Sequence, residues 1–129
     1  MIRSCLIFLL AVLTVPAVAG ERPDRGARFF DNRVAPILSR RCLGCHNEEL
    51  KNGNISFLDR DSLLHGGSRG PAIVPGNPQQ SFLIVALRHD GDIQMPPGPP
   101  LPAKEIGILT EWIKRGAVWG TKLAKPGTN

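Results

Sequence analysis

A chain of 129 residues with a formal net charge of +5 has room for one domain and little else. The basic residues of its first third (Arg22, Arg25, Arg28, Arg33, Arg40 and Arg41) are scattered rather than gathered in a block. That spacing argues against a nucleic-acid track and for a solvated face.

Residues 1–19 have the layout of a secretory signal peptide. Arg3 supplies the positive start, the run from Cys5 to Val15 is apolar apart from Thr14, and Ala17-Val18-Ala19 is a small-x-small cleavage site. The apolar run is too short to span a bilayer comfortably, so an uncleaved anchor is the weaker reading and no transmembrane span is expected after cleavage. Residues 20–26 read as a flexible polar lead-in. Export also changes the cysteine arithmetic: of the 3 cysteines, Cys5 leaves with the signal and Cys42 and Cys45 remain.

The mature part, residues 27–120, reads as an all-α domain of short helices joined by long ordered loops. Phe29, Phe30, Val34, Ile37 and Leu38 recur at helical spacing, with Pro36 predicting a kink or a late start because it has no backbone N–H to donate. Ile55 to Leu58 reads as extended. Asp59 is the predicted N-cap of a short helix through Leu64, closed by Gly66-Gly67. Asn77, Pro78 and Gln80 form a capping-box start for a helix carrying Phe82, Leu83, Val85 and Ala86. A proline-rich loop from Asp90 to Pro102 follows. The last helix begins near Pro102 or Ala103, with Ile106, Leu109, Trp112 and Ile113 as its apolar stripe and Gly116 at its end. Residues 121–129 read as a frayed polar tail.

The chemistry is concentrated in Cys42-Leu43-Gly44-Cys45-His46, a C-x-x-C-H run. Two thiols on one helical turn can reach the two vinyl groups of a haem, and the adjacent histidine can meet the iron, so the run predicts one covalently attached haem c per chain, held by two thioethers. A thiol–disulfide redox pair is disfavoured because no βαβ pattern surrounds it. Half of a zinc site would need His65 or His89 to complete it. A plain structural disulfide is the remaining alternative. For the second axial position, Met95 is the only methionine besides Met1. Met95 stands in Gln94-Met95-Pro96-Pro97, where the prolines stiffen the loop and can hold a weak thioether donor; His89 and then His65 are its rivals. Arg69, Trp112 and Trp119 read as surface charge or core rather than as contacts to propionates.

Several segments fall in a recognisable order: Phe29-Phe30, the Cys42–His46 run, Gly70-Pro71-Ala72-Ile73-Val74-Pro75-Gly76, Ser81-Phe82-Leu83, Met95-Pro96-Pro97, and Glu105-Ile106 with Trp112-Ile113 and Gly116-Ala117. Together they resemble the planctomycete-type cytochrome c domain, within the wider class I cytochrome c group, over roughly residues 27 to 120. The resemblance implies a helical cytochrome c-like fold whose first and last helices cross. It also implies His46 as proximal and Met95 as distal ligand, the Pro71 carbonyl as acceptor of the His46 hydrogen bond, and Ile73 and Val74 lining the haem pocket. In many relatives this domain is fused ahead of larger ones; here only a short tail follows, which leaves a free-standing carrier or a piece of a longer architecture.

The expectation is therefore a periplasmic or otherwise exported, monomeric electron carrier, not an enzyme. It would exchange single electrons with redox partner proteins, helped by its basic face if they are acidic. A peroxidase-like or ligand-sensing protein with an open sixth position and a haem-stabilised docking module are the alternatives.

Overall fold

The structure is a computed structural model that describes residues 23–123. The signal-like segment 1–19 and the end of the tail lie outside the described residues. Five α-helices, α1 (Pro23–Phe29), α2 (Ala35–Arg41), α3 (Arg60–His65), α4 (Phe82–Leu87) and α5 (Ala103–Lys114), are joined by a π turn at Phe30–Val34 and 3-10 turns at Asn52–Asn54 and Pro78–Gln80. Among the described residues there is no sheet; the one β contact is an isolated bridge between Gly67 and Gly70. The fold is all-α and cytochrome c-like. No helix among the described residues is long and apolar enough to cross a membrane.

One expectation at the N-terminal end needs correcting. The lead-in is helical from Pro23 onward, in α1. Pro36 gives the late start expected of it: ahead of it the chain widens into the π turn, in which the Ala35 N–H donates to the Phe30 carbonyl five residues back, and α2 begins only at Ala35. A proline inside a regular helix lacks its N–H and presses its ring on the carbonyl four residues earlier. The wide turn ahead of Pro36 instead places the proline at the start of α2, where that N–H is not needed. The same turn buries Phe30 and Val34 completely.

The last helix packs on this turn. Leu109, Trp112 and Ile113 form the buried face of α5, as their spacing predicted, and each contributes about 1.5–3 kcal/mol through burial. The Phe30 ring lies 5.6 Å from Trp112 and 4.1 Å from Trp119, so both tryptophans belong to the crossing of the first and last helices. The indole N–H of Trp112 donates to the Val118 carbonyl at 2.8 Å. Arg60 of α3 reaches the carbonyls of Ala117 and Gly116 just beyond the end of α5, a position where a cation is favoured. Farther on, the Asp31 carboxylate accepts from the backbone N–H groups of Thr121 and Lys122 at 2.7 and 2.8 Å, pinning the start of the polar tail to the first helical run.

In the middle of the chain Asp59 caps α3 as expected, accepting from Ser62 N–H at 2.7 Å. Gly66, at φ +81, closes that helix; a Cβ there would collide with the Gly70 carbonyl. The helix expected from Pro78 to Ala86 is divided. Asn77 does cap it, accepting from Gln80 N–H, but the turn it caps is a short 3-10 turn, and Ser81 breaks the run at φ −80, ψ 114 before α4 begins. The cause is the Ser81 hydroxyl, buried completely, which accepts from Val74 N–H at 2.8 Å and donates to the Asn77 carbonyl at 2.9 Å. Those bonds, together with Leu83 N–H to the Ala72 carbonyl, fasten the loop before α4 to the loop after α3.

Candidate functional site

Cys42 closes α2: its N–H still donates to Leu38, but its φ of −116 already departs from the helix. The chain then folds back on the Cys42 carbonyl, which accepts from both Cys45 N–H at 3.1 Å and His46 N–H at 3.0 Å. This single turn gathers two thiols and an imidazole. Asn47 locks it, donating to the Leu43 carbonyl and accepting from the N–H groups of Glu49 and Leu50. From the far side, Phe57 N–H donates to the His46 carbonyl at 2.8 Å, and the Phe57 and His46 rings stand 5.1 Å apart.

Cys42, Cys45 and His46 line a cavity of about 320 Å³ together with Phe57, Leu83, Leu87 and Leu101. Met95, Pro96 and Pro97 line the same cavity. Met95 is held by its backbone on both sides. Its N–H donates to the Ala86 carbonyl at 3.0 Å, and its carbonyl lies 2.9 Å from Nε2 of His89. His65 lies elsewhere, in a wider and shallower hollow of about 380 Å³ lined by polar groups such as Lys51, Asp59 and Asp61. The lining separates the two: the thiols, the imidazole and the thioether all line the apolar one.

The chemistry of the donors is specific. Both thiols are free, Cys42 buried and Cys45 exposed, so the structural-disulfide reading is not what the fold presents. Burial first, and then the negative charge of Glu105, push the Cys42 thiol up to about 12. A thiol held that high is a poor thiolate and ill-suited to disulfide exchange. Among the described residues no group of three or more His, Cys, Asp or Glu side chains is placed to share a metal ion, so a zinc site is not assembled. Nδ1 of His46 is buried without a hydrogen-bond partner. A histidine that ligates a metal through one ring nitrogen calls for an acceptor at the other.

That orphaned nitrogen bears on the loop after α3. Pro71, expected to accept from His46, is exposed and is not among the cavity-lining residues; nor are Ile73 and Val74. The reason lies in the backbone. Ala72 and Ile73 both donate to the Leu63 carbonyl, and Val74 donates to Ser81, which turns Ile73 into the core at 1% exposure. Ala72, Gly70 and Arg69 line the cavity instead. Arg69 is exposed at its edge, whereas Trp112 is core and Trp119 is half-buried against it. The cavity contributions of Leu83, Leu87 and Leu101 were missed. The signal for the first two was the apolar spacing of α4, which does not by itself distinguish a core face from a cofactor face.

Two free thiols on one turn, an imidazole with a buried and unmet nitrogen, a thioether and hydrocarbon walls are a donor set that fits a haem c. Residues 42–99 match the family model described as Planctomycete cytochrome C, a span that begins at the first cysteine of the run and includes Met95. No curated protein and no solved structure matches the chain.

Proposed function

We propose, from the membership of residues 42–99 in the planctomycete cytochrome c family, that the chain is an exported electron carrier that passes single electrons between redox partner proteins. The observation that carries the reading is that Cys42, Cys45, His46 and Met95 line one apolar cavity. Haem c, when bound, supplies a ferric–ferrous couple that takes up or gives back one electron.

The chain's own residues do the rest. Cys42 and Cys45 would anchor the group through thioethers, and the turn folded on the Cys42 carbonyl sets their spacing. His46 would supply an imidazole ligand, with Phe57 packed against its ring. Met95 would supply a thioether donor, which favours the reduced state relative to two nitrogen ligands. Leu83, Leu87 and Leu101 exclude water, which raises the cost of charging the centre and tunes its potential in the same direction. With His46 and Met95 both engaged by the group, the carrier reading would ask no residue to act as acid, base or nucleophile. The chain works as a monomer, and its scattered arginines speed encounter with acidic partners.

The test is the optical spectrum of the exported protein in both oxidation states, beside Met95→Ala. A low-spin c-type spectrum with a weak far-red sulfur-to-iron band in the wild type, lost in the variant together with a gain of carbon monoxide binding, is the expected result. A high-spin wild type that binds carbon monoxide rapidly would overturn the carrier reading and favour an open, reactive centre.

A further inference from the structure

His89 is a histidine that the reading above leaves without a role, and its placement is unusual. It follows α4 after the single residue Arg88 and adopts φ +57, a left-handed conformation that costs a non-glycine residue on the order of 1–2 kcal/mol. The reversal brings its ring to the Met95 carbonyl, with Nε2 at 2.9 Å. A carbonyl only accepts, so Nε2 carries the proton and donates. Its own carbonyl accepts from the Gln94 amide at 3.2 Å, and one residue further on the Met95 N–H donates to Ala86. Both peptide groups that flank the Met95 Cα are therefore tied to the end of α4. The next two residues, Pro96 and Pro97, have no N–H to offer, so nothing on that side duplicates the bond that His89 makes.

The geometry points to His89 as a positioning residue: by holding the Met95 carbonyl, it fixes the backbone from which the thioether reaches the cavity. This rests on Met95 being the axial donor. A thioether is a weak ligand, and its occupancy depends on how little freedom is lost when it binds. A backbone already held at both peptides loses less than one held at a single peptide. His89 itself does not line the cavity; its ring is engaged with the backbone that carries Met95.

The experiment compares the haem-loaded wild type, His89→Ala and His89→Gln, with Asp59→Ala as a control that weakens α3 away from the cavity. Glutamine keeps an N–H donor at similar reach. In His89→Ala the fraction of protein with the thioether dissociated should rise roughly three- to tenfold, the effect of losing one hydrogen bond. It would be read as a faster carbon monoxide reaction of the ferrous protein, a weaker sulfur-to-iron band and a lower reduction potential. His89→Gln should restore all three toward wild type, and Asp59→Ala should leave them unchanged. In the haem-free chain, exchange of the Met95 amide should be faster in His89→Ala than in wild type, a readout that also serves if that variant loads haem poorly.

The inference is overturned if His89→Ala keeps the wild-type band, potential and carbon monoxide rate whatever its melting temperature, or if glutamine behaves like alanine. A wild type without the sulfur-to-iron band would instead remove Met95 as the ligand. A low-spin state then lost in His89→Ala would make His89 the ligand itself. The wild-type spectrum thus separates failure of the ligand assignment from failure of the positioning role.

Discussion

Glu105, in the first turn of α5, grips Arg41 with both carboxylate oxygens, accepting from Nε at 3.0 Å and from Nη2 at 3.3 Å. Arg41 is the residue directly before Cys42 and lines the cavity itself. Arg40 approaches the same carboxylate at 3.6 Å. The last helix is thereby tied to the point where α2 gives way to the thiol-bearing turn.

Glu105→Gln should change global stability little, because the arginines are largely exposed and such pairs are screened by water. Its sharper effect is on the neighbouring thiol. Glu105 is the second cause, after burial, of the raised Cys42 value, so its loss moves Cys42 toward ordinary acidity. Alkylation of Cys42 in the haem-free chain at mildly alkaline pH should quicken modestly, remaining well below the rate in denaturant. An unchanged rate would show that the carboxylate's charge does not reach the thiol.

The raised Cys42 value also predicts how the haem-free fold responds to base. Folding favours the protonated thiol, so its contribution is fully present below the ordinary value of 9.0 and is lost as pH rises toward about 12. Denaturant midpoints of the haem-free chain should fall progressively over that window, and Cys42→Ala should flatten the decline. Once the sulfur is committed to a thioether it no longer titrates, so the loaded protein should lack this component. Equal alkaline sensitivity in the two forms would contradict the assignment.

Trp112→Ala should cost about 3–5 kcal/mol, the loss of a large buried aromatic, because Trp112 is 1% exposed and packs beside both Phe30 and Trp119. Trp112 does not line the cavity, so the visible spectrum of the loaded protein should be unchanged under conditions where it remains folded. Chemical denaturation followed by far-UV circular dichroism, with the haem bands recorded beside it, checks both halves.

Asp59→Ala removes the cap that accepts from Ser62 N–H and Oγ, and should cost about 1 kcal/mol. Asp59→Asn, which keeps an acceptor, should recover most of it. A loss as large for asparagine as for alanine would mean that the carboxylate matters through its charge rather than through the cap.

What the sequence disclosed follows the range of the interactions involved. The Cys42–His46 run, the Asp59 cap, the apolar stripe of α5 and the proline-flanked Met95 are local patterns, each set by residues within about one or two helical turns. The break at Ser81 and the path of Pro71 to Val74 are set by partners outside the local pattern or by a hydroxyl whose role depends on burial. Ser81 reads as an ordinary helix-start residue until Val74 and Asn77 are known to surround it. The direction of the loop that carries Pro71 depends on the Leu63 carbonyl, which accepts from Ala72 and Ile73 and which no Gly-Pro pattern encodes. Helix α1 was hidden by the polar character of Pro23 to Gly26, which resembles a linker in composition alone.

The π turn at Phe30–Val34 carries one more residue than regular α-helical winding would need. That surplus sets the angular phase between the two halves of the first helical run. Deleting one residue there would restore even winding but rotate everything upstream by roughly 100° about the axis, the angle each residue subtends in an α-helix. Cys42 would keep its place at the end of α2, while Phe30 would swing away from Trp112. The thiol-bearing end and the aromatic crossing are thus two orientations set on one rod, and their relative rotation is encoded by a residue count rather than by any contact between them.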